Sequence, residues 1–228
     1  MAVKITSILE KPLQLLAPHY CYGCGIENSL LCESCCQTVV NNDNLHCYRC
    51  FRPTAEQAVC SNCRPKSPFD GFFVAGEYDG ALERLLHSYK FQRSKAGALP
   101  LGRLLEATLP YFDDPLVTHI PTASAHVRVR GYDHADMIAA ELARARGWQH
   151  KHLLARLHNK RQLGATRQRR RLQADSAFEP KIRPKSQVVI LVDDVTTSGA
   201  TMEAAARLLM AAGASSVIGV VVAQQRLT

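Results

Sequence analysis

The sequence predicts an α/β fold, a parallel sheet flanked by helices, with a small cysteine-rich domain at its N-terminus. Three observations lead there. All nine cysteines fall between Cys21 and Cys63. From residue 71 onward, short apolar runs alternate with segments of helical periodicity, the pattern of a parallel sheet covered by helices. Two of the runs, residues 188–192 and 217–223, contain no polar residue, as expected of strands buried on both faces.

At 228 residues and 46% hydrophobic composition, the chain can build one medium domain plus a small appendage. No apolar stretch reaches the length of a membrane helix. Residues 2–18 are broken by Lys4, Glu10, Lys11 and Pro12, so neither membrane insertion nor a signal peptide is expected, and the expected location is cytoplasmic. Net charge is +8. Residues 151–173 hold eight cations (Lys151, Arg156, Lys160, Arg161, Arg167, Arg169, Arg170 and Arg171) and no acid. Such a stretch attracts polyanions, either a pyrophosphate-bearing small molecule or a nucleic-acid backbone.

Eight of the cysteines form Cys-x-x-Cys pairs: Cys21/Cys24, Cys32/Cys35, Cys47/Cys50 and Cys60/Cys63. Two intervening residues let one turn present both sulfurs to one ion, and a second turn completes a tetrahedral shell. The simplest division is one site from the first four cysteines and one from the last four; an interleaved pairing is also open, as is Cys36 in place of a neighbour. With no export signal, structural zinc is expected rather than disulfides. A segment this short with few large apolar residues needs such a staple. Tyr22, Tyr48, Phe51 and Arg49 remain for a miniature core or the surface, and the three aromatics could also stack on bases. The Pro-rich segment 64–68 reads as a linker, dividing the chain into residues 1–66 and 69–228.

In the larger part, residues 71–78 read as a strand and 81–91 as a helix with Leu82, Leu85, Leu86 and Tyr89 on one face. Residues 101–109 form a second helix stopped by Pro110, and 116–121 a strand stopped by proline. Asp133 is placed to cap a helix over 134–146 that ends at Gly147. The strand at 188–192 runs into a helix over 201–212, followed by the strand at 217–223.

Ligands of open parallel sheets sit at the carboxyl ends of strands. One such end is Asp193-Asp194-Val195-Thr196-Thr197-Ser198-Gly199-Ala200-Thr201. Two carboxylates leave the buried strand, hydroxyls and backbone N–H groups follow, and Gly199 lets the backbone come close to a ligand. The helix start adds its positive dipole end, making an anion site. Neither a Walker A loop nor a Gly-x-Gly-x-x-Gly fingerprint is present. The other end, after Ile120-Pro121, offers Thr122, Ser124, Arg128 and Arg130, hydroxyls and cations suited to a highly charged group.

The segment 188–201 resembles the phosphoribosyl-pyrophosphate (PRPP) loop of type I phosphoribosyltransferases. That resemblance implies that Asp193 and Asp194 hold ribose hydroxyls and that residues 196–201 cradle the 5′-phosphate. It also implies that the loop after the earlier strand binds pyrophosphate with Mg²⁺, and that the basic stretch closes over the site. The reaction is substitution at the ribose anomeric carbon, which needs charge stabilisation rather than a nucleophilic side chain; no catalytic residue is singled out. Thr197 stands where 6-oxopurine enzymes have an aspartate base, which speaks against hypoxanthine or guanine as acceptor. Nearly the whole chain resembles the ComF family, through the Cys-x-x-Cys head, Tyr89-Lys90-Phe91, Ile120-Pro121, Arg130-Gly131-Tyr132, Gln162, Arg170, Ala177-Phe178 and the PRPP loop. Asp133-His134 departs from the Asn-Gln of many members. The family implies a double zinc ribbon and a role with single-stranded DNA and DNA-uptake proteins in natural transformation, whether or not the chain transfers phosphoribosyl groups to an acceptor.

Overall fold

The computed structural model describes residues 18–41, 46–54, 59–92, 94–157 and 177–225. Its elements, in chain order, are helix α1 (Glu33–Asn41), strand β1 (Gly71–Glu77), helices α2 (Gly80–Phe91) and α3 (Ala98–Thr108), β2 (Leu116–His119), α4 (Ser124–Arg130), α5 (His134–Arg146), β3 (Gln149–His150), β4 (Leu154–Arg156), β5 (Phe178–Pro180), β6 (Val188–Thr196), α6 (Ala200–Ala211) and β7 (Ser216–Gln224). Five strands form one parallel sheet in the order β1-β7-β6-β2-β3. From β2 the chain steps toward β3, and from β6 it steps the opposite way, toward β7. The reversal opens a crevice between the carboxyl ends of β2 and β6, the place where such sheets take ligands.

Alternation along the strands divides the core in two. On one face Val117, Ile190, Val192, Ile218 and Val220 pack with α2, α3 and α5. On the other, Leu116, Val189, Leu191, Val217 and Val221 pack with Met202, Ala205 and Leu209 of α6. Helices α3 and α5 cross at Gly102, where an added Cβ would lie 2.5 Å from that of Glu141, so the approach requires glycine. Asp133 caps α5 as expected, accepting from the Asp136 N–H, and Gly147 in the left-handed region ends the helix.

Three local expectations change. Helix α4 occupies what reads in sequence as a loop. The stretch beginning at Lys151 is not all loop: Leu153 and Leu154 are buried, and β4 pairs antiparallel with β5. Two leucines in a polar segment supply the reason, since burying them fixes the chain there. Arg156 is anchored too, donating to the Pro121 carbonyl at 3.1 Å. The rest of the basic stretch, from residue 158, lies outside the described residues, and with it Gln162 and Arg170. Third, β6 runs past Val192 to Thr196.

The cysteine-bearing segment grips the edge of the sheet. Cys21, Leu30 and Leu31 join the core on the α2 face, and Cys47, Tyr48 and Val59 join the core on the α6 face. Edge strand β1 lies between them, and Val39 of α1 closes on Gly76. Residues 64–68 are held at both ends: Arg64 donates to the Asp70 carbonyl, and the Ser67 hydroxyl meets that of Tyr48 at 3.0 Å. Among the described residues, no helix is long and apolar enough to cross a membrane.

Candidate functional site

The acidic pair owes its position to the end of the β2–β6 ladder. Strand β2 pairs with β6 only as far as Val192, where the Ile120 N–H makes the last bond. The next N–H that would face β6, that of Thr122, donates instead to Asp133 Oδ2 at 2.8 Å, so β2 peels away. On the other side β6 stays paired with β7, through Asp193 opposite Val221 and Thr196 opposite Gln224. Asp193 and Asp194 therefore stand on an open strand edge at the crevice, still in extended backbone rather than in the turn. Alternation sends their side chains apart. Asp194 turns to the α2 face, where its Oδ1 meets the Lys90 ammonium at 2.9 Å. The Asp193 carboxylate accepts from the Asp194 backbone N–H. Burial, and then the negative charge of Asp194, push the Asp193 carboxyl well above the usual carboxylate range.

Beyond the pair, α6 begins with no side-chain cap on its N-terminus. Its first backbone N–H groups remain as donors, with Ser198 and Thr201 exposed and Thr197 half-buried beside them. Thr196 is buried. Gly199 has φ +73°, and its open side is covered by the Tyr48 ring rather than facing the crevice. An added Cβ would lie 2.6 Å from Tyr48 Cε2. Gly199→Ala is thus expected to combine left-handed strain with overpacking, a cost of about 2–4 kcal/mol. Thermal unfolding should show a Tm lower by roughly 4–16 °C for a chain of this size.

Across the crevice, the turn after β2 is locked onto α5. Asp133 accepts from the Thr122 backbone N–H and from its hydroxyl, both at 2.8 Å. Thr122 is thereby committed to protein bonds. Ser124 starts α4, Arg128 is exposed, and Arg130 is half-buried with its guanidinium over the Phe91 ring and 3.1 Å from His134 Nδ1. Burial, and then the Arg130 charge, lower His134 to about 4, so the imidazole is neutral.

Sequence motifs 40 residues apart meet here. Tyr132 donates through its hydroxyl to the Tyr89 carbonyl, and Tyr89 donates to the His134 carbonyl at 3.0 Å. The bonds hold the end of α2 so that Lys90 points at Asp194. Lys90 is a site residue to which sequence reading gave no role, although it stands in the Tyr89-Lys90-Phe91 motif that carries the resemblance.

Each four-cysteine set is gathered as the simplest division expects. Cys21, Cys24, Cys32 and Cys35 present their sulfurs within 4.8 Å of one another, and so do Cys47, Cys50, Cys60 and Cys63. Cys36 is outside both sets. Backbone N–H groups of Gly23 and Cys32 point at Cys21 Sγ, at 3.4 and 3.3 Å. Burial pushes the Cys21 thiol up, but these N–H bonds together with that of Cys24 outweigh it and bring it down to about 6. Cys47 is brought down to about 7 in the same way. Four sulfurs per set, with no oxygen or nitrogen donor and no open position, suit a structural tetrahedral ion.

Residues 130–227 match the phosphoribosyl transferase domain family. The DNA utilization protein YhgH of Salmonella typhimurium is 27% identical over 216 residues, covering 82% of this chain and 88% of the relative. YhgH of Escherichia coli strain K12 is 27% identical over 206 residues with the same coverage. Among solved structures, the allosteric regulatory enzyme of purine biosynthesis aligns with 57% of this chain and 25% of its own, at 19% identity and a TM-score of 0.40. A hypoxanthine phosphoribosyltransferase from Staphylococcus aureus aligns with 60% and 73%, at 13% identity and a TM-score of 0.35. With a parallel sheet flanked by helices, a phosphoribosyl transferase domain over residues 130–227 and two N-terminal four-cysteine clusters, the chain is similar over most of its length to the DNA utilization protein YhgH.

Proposed function

We propose that this protein binds PRPP with Mg²⁺ and serves the handling of single-stranded DNA during natural transformation, in the cytoplasm. The observation that carries the PRPP reading is the crevice itself. Two carboxylates and an uncapped helix N-terminus share one strand end, and a hydroxyl- and arginine-bearing segment faces them from the next strand. In this reading Asp193 and Asp194 hold ribose hydroxyls, and Thr196, Thr197, Ser198, Gly199, Ala200 and Thr201 surround the 5′-phosphate. Ser124, Arg128 and Arg130 serve the pyrophosphate; Thr122, bonded to Asp133, shapes the loop. Residues 1–66 act as a double zinc-binding head and residues 69–228 as the PRPP domain.

Calorimetric titration with PRPP and Mg²⁺ tests this. Wild type should bind, and Asp193→Ala/Asp194→Ala should show at least a hundredfold weaker affinity. Equal binding by the two proteins would overturn the assignment. Pyrophosphate released only when a nucleobase is supplied would mark the protein as a transferase.

The DNA part is supported by the printed role of the YhgH relatives and by the cations of residues 151–173. Tyr48 is buried and cannot stack on a base, which leaves Tyr22 and Phe51, both half-buried. If cations contact the strand directly, affinity for an oligonucleotide should fall steeply with salt. No binding at low salt would remove direct DNA contact from the proposal.

A further inference from the structure

Beneath the turn after β2, four side chains converge that neither the crevice nor the cysteine clusters use. His119 ends β2, Asp136 stands in the first turn of α5, His150 ends β3, and His152 follows two residues later. Asp136 Oδ1 is the common neighbour, 3.4 Å from His119 Nδ1, 3.4 Å from His150 Nε2 and 3.6 Å from His152 Nδ1. Donor atoms of His119, Asp136 and His152 all lie within 4.8 Å of one another. The three imidazoles pack at centroid separations of 5.1 to 5.8 Å.

Hydrogen bonding does not account for this arrangement. His119 is 4% exposed, and its Nδ1, the His150 Nε2 and the Asp136 Oδ1 are all buried without a hydrogen-bond partner. An imidazole donating to a carboxylate would come to about 2.7–2.9 Å. Here three nitrogens stop short of one oxygen. Leaving a polar atom buried and unpaired costs about 1–3 kcal/mol, and three such atoms face one point. An ion bound at about 2.0–2.1 Å in tetrahedral geometry holds neighbouring donors roughly 3.3–3.4 Å apart. The observed 3.4 to 3.6 Å spacing matches that edge.

We propose that His119, Asp136 and His152 form a third metal site for a first-row divalent transition ion of the zinc class, with His150 beside it against Asp136. Imidazole and carboxylate donors suit such ions. The other nitrogen of His119 faces Asp133 Oδ2 at 3.9 Å. Metal-bound histidines commonly turn their second nitrogen to a carboxylate. Asp133 in turn holds Thr122 through two bonds. The ion therefore ties β2, α5 and β3 together directly under the turn that faces the acidic pair. Its role is positioning, since its three donors come from three separate segments beneath the turn.

Elemental analysis of the full chain, loaded with Co²⁺ and desalted, tests the site. His152→Ala is a safe probe, because the side chain is 54% exposed, and Asp136→Asn removes the central oxygen's charge. Both should carry one ion fewer per chain than wild type and than the exposed control His87→Ala, with cobalt–thiolate charge-transfer absorption unchanged. Conversely, Cys60→Ser should lose the thiolate absorption of its own cluster and keep the imidazole-bound ion, which separates this site from the cysteine clusters. Metal content equal to wild type in both His152→Ala and Asp136→Asn overturns the proposal.

Discussion

Cys60→Ser is expected to cost the chain one metal ion and to lower its Tm by roughly 6–12 °C. The magnitude follows from what the second cysteine set holds in place. Structural zinc contributes about 10–16 kcal/mol to the folding of small isolated modules; a small part of that, about 3 kcal/mol, moves a chain of this length by roughly 6–12 °C. Cys60 is half-buried, and serine is nearly isosteric, so lost packing alone would cost far less. The effect should also spread. Cys47 and Val59 belong to the same packed cluster as Phe69, Phe72 and Met202, so loosening the head uncovers the α6 face of the sheet. Metal analysis together with thermal unfolding checks the prediction. A variant that loses the ion yet unfolds within 2 °C of wild type would show that the cluster contributes nothing to the fold.

The elements legible in the sequence are those whose signal is local. Strand β1, helices α2, α3 and α5, the Asp133 cap and the Gly147 stop follow from periodicity and capping over a few residues; the structure has them within a residue or two, except that α3 begins earlier than expected, at Ala98. The cysteine sets follow from spacing for the same reason. What escaped was the pairing of distant segments. Sequence alternation places Asp193 and Asp194 on opposite sides, but only the structure shows that Thr122, far earlier in the chain, gives its N–H to Asp133 and so leaves open the strand edge they stand on. Lys90 reads as an ordinary helix-end lysine until Asp194 is found 2.9 Å away. The histidines at 119, 150 and 152 have no motif spacing with Asp136; β2, α5 and β3 bring them together. Gly199 reads in sequence as a glycine that lets the backbone come close to a ligand, but what lies over it is Tyr48, from far earlier in the chain.

That covering residue carries the second large effect. Tyr48→Ala should destabilise the protein by about 4–6 kcal/mol, roughly 8–24 °C in Tm for a chain of this size. The ring is 1% exposed, stacked on Phe72 at 4.2 Å and edge-on to Phe69 at 5.6 Å. Its hydroxyl donates to Glu203 Oε1 at 2.8 Å, and its carbonyl accepts from Gln224 Nε2 at 2.7 Å. Glu203 is a buried carboxylate in the first turn of α6, paired with Arg49 of the head and Arg207 of its own helix, each at 2.8 Å. Removing the ring therefore opens a cavity and strips one bond from a desolvated charge. Tyr48→Phe keeps the ring and leaves Glu203 its two arginines, so its cost should be about 1–2 kcal/mol. The ring also explains Gly199. In a Tyr48→Ala background the Cβ of Gly199→Ala has nothing to strike, and only the left-handed strain of about 1–2 kcal/mol should remain. The two substitutions are thus expected to be less than additive, by about 1–2 kcal/mol in a double-mutant cycle. Strict additivity would mean that the head does not rest on the turn before α6. A coupling of the expected sign would make the cysteine head a buttress of α6, so that its loss would weaken the proposed PRPP binding without any head residue touching the ligand.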